Sequence, residues 1–92
     1  MKVWGIPVKL PDPKEEPKQA QAVMRFLWSA NGFCGFCPHE SGNTLLVFQS
    51  IASARTAKWR MEEFTDEPLV IMEGTLSDDL KTLDCKKVLK NE

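Results

Sequence analysis

Thr44-Leu45-Leu46-Val47-Phe48-Gln49 carries the strongest strand signal in the chain. Four large apolar residues follow one another, valine and phenylalanine among them, with polar residues at both ends. A strand whose apolar side chains fall on both faces is covered on both sides, so this one is expected at the centre of a sheet. Its neighbours then fall into place. Upstream, Glu40-Ser41-Gly42-Asn43 supplies turn chemistry and Phe33 to Pro38 reads as a short strand, which makes a β-hairpin. Downstream, Ser50 is placed to cap a helix running to about Phe64. Ala54, Ala57, Met61 and Phe64 form the buried stripe of that helix, with Arg55, Lys58, Arg60 and Glu62 outward. Trp59 stands off the stripe by roughly half a turn.

Moving towards the N-terminus, the period becomes helical over Lys18 to Asn31. Ala20, Val23, Met24 and Leu27 lie at i, i+3, i+4 and i+7, with Phe26, Trp28 and Ala30 broadening the apolar side. Asn31-Gly32 is a good stop. Before it, Pro11-Asp12-Pro13-Lys14-Glu15-Glu16-Pro17 is a charged, proline-rich connector. Val3 to Leu10 reads as a strand with Trp4, Ile6, Val8 and Leu10 on one face. Pro7 sits awkwardly there, because it has no N–H to give to a central ladder. Towards the C-terminus, Thr65-Asp66-Glu67-Pro68 ends the second helix and Leu69 to Leu76 reads as a strand. Ser77-Asp78-Asp79 then caps a last, basic helix through about Lys90. The order strand, helix, strand, strand, helix, strand, helix gives an α+β chain forming one domain over residues 1–92. Its first six elements match the ferredoxin-like split βαβ arrangement, with an added C-terminal helix.

Composition narrows the classes of function. Of 92 residues, 42% are apolar and 27% charged, with a net charge of −1, which suits a folded protein and excludes wholesale disorder. The near-neutral balance gives no electrostatic push towards nucleic acid. No apolar run approaches the ~18 residues of a membrane span, and Pro7 and Lys9 interrupt the N-terminus too early for a signal-peptide core. Three cysteines at irregular spacing make a poor disulfide framework. A cytoplasmic protein is expected.

Phe33-Cys34-Gly35-Phe36-Cys37-Pro38-His39 offers the sharpest chemistry. Cys34, Cys37 and His39 are the candidate ligands of a metal, yet a structural zinc takes four and the next cysteine, Cys85, is far along the chain. If residues 33–38 are extended, Cys34 and Cys37 point to opposite faces with Cα atoms about 10 Å apart, too far for a shared metal or a disulfide. On that reading Cys34 and Phe36 share one face, and Phe33, Gly35 and Cys37 the other. Both thiols then pack as small apolar groups. The Cys-Gly-Phe-Cys dithiol resembles that of thioredoxins, but the reactive thiolate there lies at a helix N-terminus. Here a helix precedes the motif. Cys37 and His39, two apart, are a conceivable nucleophile pair with no third group assigned.

Leu46-Val47-Phe48 followed by Ala54, Ala57 and Met61 is similar in rhythm to the third strand and second helix of RNA-recognition motif domains. Those domains stack bases on aromatics within a basic-Gly-aromatic signature. Asn43-Thr44-Leu45-Leu46-Val47-Phe48 has neither the basic-glycine pair nor the exposed aromatics, so the likeness is to the scaffold. Arg55, Lys58 and Arg60 form a helical basic face. Trp59, with Arg55 and Lys58 beside it, and an apolar sheet face without a helix are the candidate partner surfaces. The C-terminal helix, through Leu80, Leu83, Val88 and Leu89, is the alternative cover for that sheet face.

The block Asn31-Gly32-Phe33-Cys34-Gly35-Phe36-Cys37-Pro38-His39, the strand Thr44 to Phe48 and the opening Trp4-Gly5-Ile6-Pro7-Val8 resemble small bacterial proteins of gut anaerobes and mobile elements. That resemblance covers roughly residues 3–64 and implies no activity. A non-catalytic binding or regulatory module is expected, acting by self-association as a dimer or on a protein partner, without cofactor, metal or membrane. The alternatives are a cysteine-dependent metal or redox protein using Cys34, Cys37 and His39, and RNA binding through the sheet.

Overall fold

A computed structural model describes residues 1–38, 42–63, 65 and 68–77, together with the backbone of 83–89. The elements in chain order are β1 (Lys2–Val8), α1 (Pro17–Ser29), β2 (Phe33–Pro38), β3 (Thr44–Phe48), α2 (Ile51–Met61), β4 (Ile71–Leu76) and β5 (Leu83–Leu89). The strands form one sheet in the order β2-β3-β1-β4-β5, and every neighbouring pair is antiparallel. The chain is therefore α+β, and β3 is an inner strand as its apolar run requires.

Alternation along the strands divides the apolar residues into two clusters. Ile6 and Val8 of β1, Leu46 and Phe48 of β3 and Ile71 of β4 meet Val23 and Leu27 of α1 and Ala54, Ala57 and Met61 of α2. Both helices thus pack on one face of the sheet, and Trp4 and Leu10 join them there, as their spacing implies. On the opposite face Val3, Leu45 and Val47 form a second cluster, with Cys37 and Leu76 against it. Gly5 lies on that face under Leu45. A Cβ at Gly5 would come within 2.8 Å of Leu45 Cδ1, so the bare glycine lets the leucine fold across β1.

The ladder explains how β1 holds a proline. Met1 and Leu76 exchange both backbone bonds, the Met1 ammonium to Leu76 O at 2.8 Å and Leu76 N–H to Met1 O at 2.7 Å. In an antiparallel strand each residue aims its N–H and C=O to one side, alternately. Met1, Val3, Gly5 and Pro7 therefore address β4, and Lys2, Trp4, Ile6 and Val8 address β3. Pairing with β4 ends at Gly5↔Met72, before Pro7 is reached, whereas pairing with β3 continues to Val8↔Thr44. Pro7 forfeits a bond that the sheet does not ask for.

Three expectations are corrected. The first concerns the C-terminus: Leu83–Leu89 is a strand paired with β4 over Ile71↔Leu89 to Leu76↔Leu83, where a basic helix was expected. Bonds to β1 use Met72, Gly74 and Leu76, so Ile71, Glu73 and Thr75 present N–H and C=O groups outward. A strand satisfies that row of orphan groups and a helix cannot. The second lies in β2. Its register with β3 shifts between Phe33↔Phe48 and Gly35↔Val47, leaving Cys34 as the extra residue of a β-bulge. Gly35 takes φ +144°, a conformation that glycine adopts without a Cβ penalty. The bulge turns Phe33 to the same face as Phe36, and their rings lie 5.2 Å apart. The third is that Cys34 is exposed, not packed.

The remaining element bounds lie within a few residues of those expected, but Met24 and Trp28, placed on the apolar side of α1, are exposed, and Lys58, placed outward on α2, is mostly covered. Ser50 caps α2, its hydroxyl accepting from Ser53 N–H at 3.4 Å, and Pro17 opens α1. His39, the Glu40-Ser41 half of the turn, Phe64 and the Asp78-Asp79 cap with Leu80 lie outside the described residues.

Candidate functional site

The sheet face without helices is not an open apolar surface. Val3, Leu45 and Val47 are 0%, 3% and 6% exposed. Strands β1 and β3 put Val3, Gly5 and Pro7, and Leu45 and Val47, on that face, while Trp4 and Phe48 turn towards the helices. A base-stacking platform of the RNA-recognition kind needs aromatics on those strands at that face. These strands place theirs on the other.

The cysteine block is likewise spread apart. Cys34 stands outside at the bulge, where its thiol lies 3.7 Å from Gly32 O. Cys37 packs against the cluster of Val3, Leu45 and Val47. Both are free thiols, and among the described residues no three His, Cys, Asp or Glu side chains gather as a metal would require.

Two tryptophans expose about two thirds of their surface, Trp28 at 65% and Trp59 at 66%, and their settings differ. Trp28 closes the end of α1 over β2. Its ring meets Phe33 edge-on at 5.5 Å and Phe36 at 6.1 Å, and Phe33 leads inward to Phe48 at 5.3 Å. This aromatic chain from core to surface fastens α1 to the outermost strand. The bulge was the part hidden from sequence reading, because without it Phe33 and Phe36 point opposite ways.

Strand addition at the outer edge of β2 is blunted. Gln49 N–H donates to Gly32 O at 2.7 Å, so Leu45, Val47 and Gln49 address β2 and are met by Cys37, Gly35 and Gly32. Phe33, Phe36 and Pro38 face outward. Phe33 N–H is engaged by Ala30 O at 3.5 Å and Pro38 has no N–H, which leaves Phe36 as the donor on that side among these three. Bulges and prolines protect edge strands in this way.

Trp59 belongs to the helix face. Among the described residues no ring stacks on it. A groove of about 330 Å³ runs between the C-terminal end of α1 and the N-terminal half of α2, lined by Phe26, Ser29, Ala30, Ala52, Ser53 and Thr56 with Asn31 and Ala57. Ala52, Thr56 and Trp59 are spaced i, i+4, i+7 and so follow one another along α2, with Trp59 itself outside the groove lining. No lining residue is ionisable. The groove hydroxyls are turned to their own helices: Ser29 Oγ donates to Phe26 O at 2.9 Å and Thr56 Oγ1 to Ala52 O at 3.1 Å. Lys58, named with Arg55 and Trp59 as a candidate contact, pairs with Glu62 at 3.5 Å one turn on, and Arg55 is also engaged. No helix among the described residues is long and apolar enough to cross a membrane.

An α+β chain with an antiparallel sheet and, among the described residues, two helices on one face with a groove of uncharged residues between them is the class these observations define. Comparison with family models, with curated proteins and with solved structures returned no match.

Proposed function

We propose that this protein is a non-catalytic binding module of the ferredoxin-like split βαβ kind that works by associating with itself through its helix face. The sheet order β4-β1-β3-β2, with both helices on one side and β5 added beyond β4, supports the fold reading. Self-association rests on one observation above all: Trp59 on α2 is 66% exposed, with no ring stacked on it among the described residues. Tryptophan is enriched among the residues that anchor protein interfaces. The buried sheet face and the blunted β2 edge leave the helices as the better-suited surface. Cysteine chemistry draws less support, since the bulge sends Cys34 outward while Cys37 joins an apolar cluster.

Light scattering on a concentration series tests the reading. The mass should rise from one chain towards two in the high-micromolar range, and Trp59→Ala should hold it at one. A strict monomer throughout, or a dimer indifferent to Trp59→Ala, would overturn it.

A further inference from the structure

We propose that the association joins α2 to α2 of a second copy, antiparallel about a two-fold axis at Trp59, with Arg55 of each chain paired to Glu63 of the other; this rests on the self-association reading above. The outward face of α2 carries Ala52, Arg55, Thr56, Trp59, Arg60 and Glu63, all exposed and recurring at helical spacing. The turn carries on past Met61, since Glu62 N–H donates to Lys58 O at 3.0 Å and Glu63 N–H to Arg60 O at 3.2 Å, which keeps Glu63 on that face. Arg55 stands four residues before Trp59 and Glu63 four residues after it. When two copies of a helix lie antiparallel about an axis at one residue, the residue four places before it meets the residue four places after it on the partner. Arg55 then opposes Glu63 twice over. Trp59 meets Trp59, which puts an uncharged group at the one place where a charge would face itself. A parallel pairing would set Arg55 on Arg55 and Glu63 on Glu63. The face is complementary to its own copy in one direction only.

The two acids that follow α2 differ in what already holds them. Glu62 is taken by Lys58 at 3.5 Å and by Leu69 N–H at 3.1 Å. Glu63 makes no ion pair among the described residues. Arg55 is engaged within its own chain, and its planar fork of five N–H donors lets it keep that contact while reaching a carboxylate. Arg60 follows Trp59 by about 100° around the helix and flanks the axis. The six residues of this face are far fewer than the roughly 20–30 a side of a standard interface. The dimer is therefore transient and concentration-dependent. Its reciprocal charges set the direction of pairing and speed the encounter more than they hold the copies together.

The experiment uses the full chain with two exposed substitutions, Arg55→Glu and Glu63→Arg, and light scattering in the high-micromolar range at low salt. Either variant alone sets like charges together at both contacts and should keep the mass of one chain. Mixed in equal amounts, the two variants restore opposite charges at both contacts, and the mass should rise as it does for the unaltered chain. Recovery on mixing also shows that each variant is folded. Both substitutions made in one chain should recover the doubling as well. If the mixture and the doubly exchanged chain both stay monomeric while the unaltered chain doubles, the antiparallel α2 contact is overturned and the self-association reading stands. A single variant that doubles by itself would overturn the contact in the same way. An unaltered chain that stays monomeric would overturn both.

Discussion

At the scale of single residues, the two cysteines of the Cys34-Gly35-Phe36-Cys37 block separate into a tolerant position and a sensitive one. Cys34 projects from the bulge, so Cys34→Ser exchanges one exposed group for another and should leave the thermal midpoint unchanged. Cys37 lies against Val3, Leu45 and Val47. Cys37→Ser brings a hydroxyl to that contact and should cost about 1–3 kcal/mol where it finds no partner, with Cys37→Ala milder. Equal losses at both positions in denaturant titrations would mean that the thiols act together after all. Trp4 is the other residue whose setting makes a sharp expectation. Among the described residues its buried Nε1 has no hydrogen-bond partner, and an orphaned buried donor costs about 1–3 kcal/mol. Trp4→Phe removes that donor along with some packing, so the two changes offset each other and stability should move by less than about 1.5 kcal/mol. A loss as large as the roughly 3–5 kcal/mol of a deleted core aromatic would show that the indole N–H has a partner.

At the scale of elements, the direction of each backbone group along β2 and β3 can be read by hydrogen exchange. Amides of Leu45, Val47, Gly35 and Cys37 lie within the β2–β3 ladder and should be protected, while Phe36 N–H faces out from the sheet and should exchange orders of magnitude faster than its neighbours. Slow exchange at Phe36 would place something across that edge. The elements also show what the sequence disclosed and where it fell silent. Leu45 to Phe48 announced an inner strand because four apolar residues in a row leave no polar face, Val23 and Leu27 with Ala54, Ala57 and Met61 announced two helices by their spacing, and the order of elements put both helices on one side. Trp59 was legible as an outward residue from its angle to that stripe. The bulge was not legible. It arises from pairing with β3, and Gly35 alone does not reveal which of its neighbours is the extra residue. The groove was equally hidden, since Ser29 and Ala30 meet Ala52 and Ser53 only through the packing of α1 against α2. Residues 83–89 misled for a related reason. Leu83, Val88 and Leu89 read as part of an apolar helical stripe, and what makes them a strand is the row of backbone groups that β4 holds out to them.

At the scale of the molecule, the sheet protects its two ends by different means, and one of them can be removed. Beyond β2 the defence lies in the strand itself, through the bulge at Cys34 and the missing N–H of Pro38. Beyond β4 it is β5, whose pairing runs from Ile71↔Leu89 to Leu76↔Leu83. The exposed row that β5 covers belongs to Ile71, Glu73 and Thr75, with no proline among them. A chain ending at Ser77 would present that row as a fresh edge, the form of strand that pairs with other chains. It would also lose the burial that a fifth strand brings to a small domain, in which every layer counts towards a marginal total. The truncated protein should melt at a lower temperature and form oligomers that grow with concentration. Trp59→Ala should leave those oligomers intact, because they join through the β4 edge and not through the helices. Adding a peptide of residues 83–89 in excess should suppress them by occupying the vacated position. A truncated chain that keeps both its melting temperature and its solution mass would show that β5 is dispensable, and that something other than strand pairing guards β4.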